Sequence, residues 1–151
     1  MTAHDVDLAL QAAVVADFEA LLALRIRAMQ PSLQALGRFD LARARERFLS
    51  TFVADCMHHI VHRCHRVGCV SLRRKPQALR IDHLYIDPDV QSQGVGSWAL
   101  RWAQTQADEQ QLPLELAALQ GSAANRFYLR HGFTEVGRSD FDIEYRRLPQ
   151  A

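Results

Sequence analysis

Residues 84–98 read LYIDPDVQSQGVGSW and carry the clearest indication of fold in this chain. A strand-like run from Leu84 to Ile86 ends at Asp87-Pro88, and a polar loop then leads to Gly94-Val95-Gly96. The apolar start of a helix follows at Trp98. Glycines let a ligand approach the backbone closely, and a helix N-terminus offers unpaired N–H groups to an anion. The segment therefore predicts an anion-binding turn between a strand and a helix.

The same glycines also fit a dinucleotide-binding pattern. Gly94, Gly96 and Ala99 match G-x-G-x-x-A, and Glu115 follows about 20 residues on, as that pattern requires. A dinucleotide-binding strand runs almost directly into its first glycine, whereas a polar loop separates Ile86 from Gly94 here. Glu115 also lies inside its apolar run, and the chain lacks repeated βα units. A nucleotide-dependent oxidoreductase is thus disfavoured, and a purely structural turn before a helix is a further alternative.

A second motif lies about 30 residues further along, where residues 121–133 read GSAANRFYLRHGF. Together the two segments resemble the signatures of the GNAT superfamily of N-acetyltransferases. The first signature, Gln/Arg-x-x-Gly-x-Gly/Ala, is matched by Gln91-Ser92-Gln93-Gly94-Val95-Gly96. The second, N-x-x-A-x-x-Φ-Y-x-x-x-G-Φ with Φ apolar, is matched at Ala124, Phe127, Tyr128, Gly132 and Phe133. Its leading Asn is replaced by Gly121, and Asn125 takes the position that a subset of these enzymes uses instead.

The resemblance implies the activity and the cofactor. It implies acetyl transfer from acetyl-CoA to a primary amine, with the pyrophosphate on the glycine turn and the pantetheine arm on the backbone of the preceding strand. The implied cofactor contacts are Leu84, Tyr85, Ile86, Gln91, Ser92, Gln93, Gly94, Val95, Gly96, Ser97, Asn125, Phe127 and Tyr128. Tyr128 is also the implied proton donor to the leaving thiolate, and an ordinary core tyrosine is the alternative interpretation.

The general base is sought on the strand before the first motif, where members of this superfamily often place an acid or a histidine. Regular alternation puts Asp82 on the face of Leu84 and His83 on the opposite face. The position of the motif favours Asp82, while His83 has the better intrinsic pKa for a base near neutral pH. A bulge would exchange the two faces. The structural alternative for Asp82 is an ion pair with Arg80 or Arg73.

Composition limits the class of protein. The 151 residues predict a single domain over 1–151, and a hydrophobic content of 48% is enough for a sizeable core. A net charge of +1 and short apolar runs argue against nucleic acid and membrane as partners. The N-terminus carries acids where a signal peptide carries positive charge, so we expect a cytoplasmic protein whose three cysteines are thiols.

The hydrophobic pattern predicts an α+β fold with about seven mostly antiparallel strands flanked by four helices, and the order of these elements resembles that of the GNAT fold. Pro31 is expected to end the first helix, and Asp40 to cap the second. The predicted elements are a strand over 6–12, helices over 14–30 and 40–54, a hairpin over 57–74, a strand over 78–86, a helix over 95–110, a strand over 114–119, a helix over 121–131 and a hairpin of strands 133–136 and 141–147 around Gly137.

Histidines and cysteines cluster between residues 56 and 69, but no metal site is predicted there. The chain has no C-x-x-C pair, which structural zinc sites usually need. His58 and His62 share a strand face but lie about 13 Å apart by strand rise, too far for one ion. Arg43, Arg45 and Arg47 are expected to form a solvated helix face, with a phosphate or acidic-substrate site as the alternative.

The sequence thus predicts an acetyl-CoA-dependent N-acetyltransferase acting on a primary amine of a small molecule or peptide. Substrate selection is expected from helices 14–30 and 40–54, the Arg38-Phe39 link and the C-terminal hairpin. A homodimer is left open. The alternative from another class is a catalytically silent acyl-CoA-binding sensor, which would bind CoA without releasing it from acetyl-CoA.

Overall fold

The computed structural model describes residues 7–91 and 93–151 of the chain. These residues form four α-helices and nine β-strands, which confirms the predicted α+β fold. The helices are α1 (Phe18–Ala35), α2 (Leu41–Thr51), α3 (Val95–Glu109) and α4 (Ala124–Arg130). The strands are β1 (Leu8–Ala12), β2 (Met57–His62), β3 (His65–Ser71), β4 (Arg73–Lys75), β5 (Ala78–Arg80), β6 (Leu84–Ile86), β7 (Leu114–Leu119), β8 (Thr134–Arg138) and β9 (Asp142–Arg147).

The chain divides into two compact units, and the prediction of one domain over 1–151 stays a prediction. The first unit comprises Met1–Ser71 and His83–Leu100, and the second Leu72–Asp82 and Arg101–Ala151. The first contains an antiparallel sheet of four strands in the order β1-β2-β3-β6. The second contains a sheet of five in the order β4-β5-β7-β9-β8, in which β5 and β7 are parallel and the other neighbours antiparallel.

The core of the first unit forms where α1 and α2 pack on the sheet. Leu21 of α1, Phe48 of α2 and Met57 of β2 are almost completely buried in it. The rings of Phe18 and Phe52 each lie about 5 Å from that of Phe48, at 5.3 and 5.5 Å between centroids. This aromatic contact fixes α2 against α1 by burying large apolar surfaces.

Helix α1 differs from its prediction at both ends. It begins at Phe18 because residues Val15–Asp17 form a 3₁₀ turn, in which the Asp17 carboxylate accepts the Val14 N–H over 3.0 Å. Pro31 does not end the helix, which continues to Ala35. A proline inside a helix removes one hydrogen bond, and both Pro31 and its would-be acceptor residue Arg27 are exposed, so water can reach that carbonyl.

The end of α1 and the start of α2 follow standard capping chemistry. Gly37 has φ +68, and the Arg38 N–H donates to the Leu33 carbonyl over 2.9 Å, as in a Schellman motif. Asp40 is the N-cap of α2, as predicted, because its Oδ1 accepts the Arg43 N–H over 3.0 Å. The local sequence therefore determines the turn between the two helices.

The predicted strand over 78–86 is wrong in its middle. Residues 81–83 have no strand geometry, so β5 and β6 are separate strands that join different sheets. The predicted hairpin over 57–74 likewise gives β2, β3 and the short strand β4. These two divisions give nine strands instead of about seven. Alternation along a regular strand therefore cannot assign Asp82 and His83 to opposite faces, because both residues lie in this break.

The second unit follows its predicted pattern closely. β7 occupies the predicted range and buries Leu114, Leu116 and Ala118 on one face. In β9 the buried positions include Ile143 and Tyr145, as alternation predicts. β8 extends to Arg138, with a register shift between Glu135 and Gly137, so Gly137 lies in the strand and not in the turn. The extra residue of this bulge is Val136, which the register skips.

Candidate active site

The N-terminus of α3 has the geometry of an anion-binding turn. Gly94 has φ +84, a left-handed conformation that favours glycine, and α3 begins at the next residue. The first helical hydrogen bond runs from the Trp98 N–H to the Gly94 carbonyl over 3.0 Å. The N–H groups of Val95 and Gly96 are thus not used in the helix, and its first turn contains no acidic residue. Ser92 lies outside the described residues.

The loop before this turn is held by its own side chains. Asp87 accepts the Asp89 N–H over 3.0 Å and forms a 2.9 Å ion pair with Arg27 of α1. Gln91 donates from Nε2 to the Ile86 carbonyl over 3.3 Å. The loop is therefore anchored to the end of β6 through Gln91 and to α1 through Asp87.

Strand β6 lies at the edge of the first unit's sheet and pairs there only with β3, with Tyr85 opposite Cys69. The Asp87 N–H donates to the Val67 carbonyl over 2.8 Å. Hydrogen-bonded pairs alternate along an antiparallel ladder, so Tyr85 and Cys69 form the next such pair. Two residues therefore direct their backbone N–H and C=O groups to the open edge: Leu84 and Ile86. Of the three predicted backbone contacts on β6, only these two have groups that the ladder does not use.

These features fit acetyl-CoA. A Cβ added at Gly94 would meet nothing within 4 Å, so an anion can approach this part of the backbone. The N–H groups of Val95 and Gly96 suit the pyrophosphate, and the open edge at Leu84 and Ile86 suits the amide-containing pantetheine arm. When bound, acetyl-CoA supplies an activated thioester carbonyl.

The second motif lies on α4 in the second unit. Asn125 donates from Nδ2 to the carbonyls of Leu119 and Ser122, each over 2.9 Å, and its Oδ1 accepts the Tyr145 hydroxyl over 2.7 Å. Burial raises the pKa of Tyr145, which keeps this hydroxyl a donor. The amide of Asn125 thus ties α4 to β7 and β9, and its role as a cofactor contact stays a prediction.

Tyr128 is 7% exposed and belongs to an aromatic cluster. Its ring centroid lies 5.5 Å from that of Phe127, 5.8 Å from that of Phe133 and 6.0 Å from that of Tyr145. The cluster fixes the direction of the Tyr128 side chain. Its catalytic role stays a prediction.

Asp82 makes the ion pairs that were the structural alternative for it. Arg73 reaches both carboxylate oxygens, over 2.7 Å from Nε and 3.1 Å from Nη2. Arg80 Nε lies 3.5 Å from Oδ1. Two guanidinium groups therefore hold this carboxylate, and its role as a base stays a prediction.

His83 is 4% exposed, and both of its ring nitrogens are engaged within the first unit. Nε2 lies 2.9 Å from Oγ1 of Thr51 and Nδ1 lies 3.0 Å from the Tyr85 hydroxyl. The Tyr85 hydroxyl also accepts from Nε of Arg25 over 3.2 Å, and the Thr51 hydroxyl donates to the Arg47 carbonyl over 3.2 Å. With a neutral imidazole, one direction is consistent for all four bonds: Arg25 donates to Tyr85, Tyr85 to His83, His83 to Thr51, and Thr51 to the Arg47 carbonyl.

Arg25 is the residue that sequence reasoning missed. It is 8% exposed on the buried face of α1, next to Leu21 and Leu22 in the apolar stripe. An arginine inside an apolar helical stripe is unusual, because buried charges need partners. The position of Arg25 within this apolar stripe was the sequence feature that could have identified it.

The cysteine and histidine cluster shows no metal-binding geometry within residues 7–91 and 93–151, where no group of three or more His, Cys, Asp or Glu side chains could hold an ion. Burial raises the pKa of the Cys69 thiol to about 12, so this cysteine is inert packing in β3. Among the described residues no helix is long and apolar enough to cross a membrane.

Comparison with known proteins identifies the family. The family model for the acetyltransferase (GNAT) domain matches residues 49–135, more than half of the chain, so this protein belongs to the GNAT acetyltransferase family. Acetyl-CoA is accordingly its acetyl donor. A search of curated proteins found no match.

Solved structures agree on the fold. The PaiA N-acetyltransferase from Thermoplasma acidophilum, in complex with coenzyme A, is 11% identical with a TM-score of 0.76, over 93% of this chain and 98% of that one. YjaB from Escherichia coli, in its apo form, is 22% identical with a TM-score of 0.74, over 95% and 99%. An acetyltransferase from Thermus thermophilus is 20% identical with a TM-score of 0.70, over 96% and 99%. At these identities the likeness shows the shared fold alone.

Proposed function

We propose that this protein is an N-acetyltransferase that moves the acetyl group of acetyl-CoA directly to a primary amine of a small molecule or peptide. The observation that carries the proposal is the glycine turn at the start of α3, next to the open edge of β6. The turn offers N–H groups to a pyrophosphate, and the strand edge offers N–H and C=O groups to an extended arm. Direct transfer needs little covalent machinery, because holding both reactants in line supplies much of the rate.

In the proposed reaction the amine nitrogen attacks the thioester carbonyl, and a C–N bond forms as the C–S bond breaks. An N–H group at the open edge, from Leu84 or Ile86, polarises the carbonyl oxygen. The amine proton leaves to a base or to water, and the thiolate takes up a proton from Tyr128. The products are an N-acetylated amine and the free thiol of CoA.

Asp82 and His83 are the two proposed bases, with Asp82 first. The carboxylate of Asp82 is paired with Arg73 and Arg80, and the ring nitrogens of His83 are engaged. A third route is that the amine binds already neutral. The pH dependence of kcat/KM separates the three.

If Asp82 is the base, Asp82→Asn lowers kcat/KM most near neutral pH and recovers partly at high pH, where the free amine is abundant. If Asp82 only holds Arg73, the same variant loses thermal stability and keeps the wild-type pH profile. His83→Gln, compared in parallel, abolishes activity only if the imidazole is the base. Unchanged pH profiles in both variants support the neutral-amine route.

The general test is release of free CoA thiol from acetyl-CoA across a panel of amines and peptide N-termini. Amine-dependent release supports the proposal. Tight binding of acetyl-CoA without release for any amine would instead support an acyl-CoA-binding sensor, the second candidate, which the engagement of both proposed bases favours. We also propose a cytoplasmic location, supported by the three free cysteines, Cys56, Cys64 and Cys69.

A further inference from the structure

Two arginines of this chain are at least nine-tenths buried, and only one of them has an acidic partner among the described residues. Arg147, 7% exposed, donates to both carboxylate oxygens of Asp108, over 2.8 and 3.2 Å. Arg25, 8% exposed, donates from Nε to the Tyr85 hydroxyl and from Nη1 to the Ala44 carbonyl, each over 3.2 Å. Both acceptors are neutral, so the charge of Arg25 is not balanced within the described part of the chain.

The hydrogen-bonding capacity of Arg25 is also unfilled. A guanidinium has five N–H donors, and two are used, which leaves three, including both on Nη2. Arg25 is 8% exposed, so its side chain keeps some contact with solvent. A buried charge without a partner is costly. The remaining donors thus point to an anion that the described part of the chain does not supply.

Two of the acidic side chains on the neighbouring elements are paired with other arginines. Asp87 pairs with Arg27 over 2.9 Å, and Glu19 pairs with Arg45 over 2.6 Å. Neither is a partner of Arg25. The Tyr85 ring lies 6.0 Å from Cζ of Arg25, which adds a cation–π contact and holds the guanidinium in place. The arrangement therefore presents a fixed, positively charged group with free donors.

We propose that Arg25 binds the carboxylate of the acceptor, so that the substrate is an amine carrying a carboxylate, as amino acids do. This inference rests on the proposed function. Planar carboxylates match the paired donors of a guanidinium. Tyr85, which holds Arg25, stands on β6 between Leu84 and Ile86, the two residues proposed to bind the acetyl-CoA arm. A carboxylate on Arg25 therefore brings its own amine toward the strand that carries the thioester.

The competing explanation is that Arg25 only orients Tyr85. In that case ligands with and without a carboxylate act alike, and Arg25→Lys merely weakens the fold. The two explanations differ in one measurable property, the response of the Arg25 side chain to a carboxylate.

Two-dimensional NMR of the arginine Nε–H groups measures that response directly. The Arg25 resonance is assigned by its loss in Arg25→Lys, and Arg63→Lys, which removes an exposed guanidinium in the turn between β2 and β3, is the matched control. The full-length protein with bound CoA is titrated with the common amino acids, β-alanine and γ-aminobutyrate, and separately with the corresponding carboxamides. We expect at least one carboxylate, and no carboxamide, to shift the Arg25 resonance. No shift, or equal shifts by acid and amide, would overturn the inference.

Kinetics on the same pairs give the second readout. We expect kcat/KM to favour the carboxylate over its carboxamide by about tenfold or more in wild type and in Arg63→Lys, and the preference to vanish in Arg25→Gln. Acetylation of amines with no such preference would overturn the Arg25 inference and leave the proposed function intact. Carboxylate-dependent NMR shifts without acetylation of any amine would support carboxylate binding by Arg25 and overturn the proposed function.

Discussion

Replacing Gly94 with alanine tests cofactor binding at the start of α3. Gly94 has φ +84, and a Cβ built there meets no atom within 4 Å, so the substitution causes no clash in the free protein. Its cost to folding is the left-handed backbone alone, about 1 kcal/mol once the gain from a less flexible unfolded chain is subtracted. For a chain of this length that lowers Tm by about 2 to 4 °C.

The effect on binding is expected to be much larger. The added methyl group occupies the space through which a pyrophosphate approaches the N–H groups of Val95 and Gly96. Loss of one charge-assisted hydrogen bond costs about 1.5 to 3 kcal/mol, which weakens CoA binding about 10- to 150-fold. Titration calorimetry with CoA measures this change, and thermal unfolding measures the cost to folding.

Gly37→Ala is the matched control. Gly37 also has a left-handed backbone, φ +68, with no atom within 4 Å of a built Cβ, and it lies in the turn between α1 and α2. We expect it to lose a similar amount of stability and to bind CoA as wild type does. Equal CoA affinity in both variants would refute the placement of the pyrophosphate at this turn.

Three further predictions address chemistry and stability. Tyr128→Phe should lower kcat about 100-fold with little change in CoA affinity, and full activity in steady-state assays would exclude its acid role. Cys64→Gly should raise the free energy of unfolding by about 1 kcal/mol, because Arg63 and Cys64 form a hairpin turn with φ of +48 and +69; Cys64→Ala should not. Asp108→Asn should cost about 1 to 3 kcal/mol at neutral pH. The hydrogen bond from Arg147 lowers the pKa of Asp108, so this contribution is present above about pH 4 and disappears as pH falls through the folded pKa; a pH-independent difference in chemical denaturation would contradict it.

The parts of the fold that depend on local chemistry were predictable from the sequence. The glycine turn before α3, the Asp40 cap and strand β7 all follow from short segments whose geometry their own residues dictate. The second motif was placed on a helix for the same reason. In each of these segments the local structure can be predicted without knowing any contact with distant residues.

The errors lie where distant contacts decide. Alternation alone cannot show that the strand predicted over 78–86 divides, because β5 finds its partner in β7 and β6 in β3. Pro31 was given too much weight, since the carbonyl that loses its hydrogen bond is exposed to water and the helix continues to Ala35. The pairing of Asp82 with Arg73 was foreseen only as an alternative, because sequence shows both residues without showing that they meet.

Tyr85 links the proposed acceptor and cofactor sites through one hydroxyl group. It accepts from Arg25 of α1 and donates to His83, whose other nitrogen reaches Thr51 of α2. Both helices expected to select the substrate are thereby joined to β6, the strand proposed to hold the acetyl-CoA arm. A carboxylate bound by Arg25 adds a negative charge beside the donor of this chain of hydrogen bonds. Because hydrogen bonds in a chain polarise one another, we expect a carboxylate on Arg25 to alter the hydrogen bond between Tyr85 and His83.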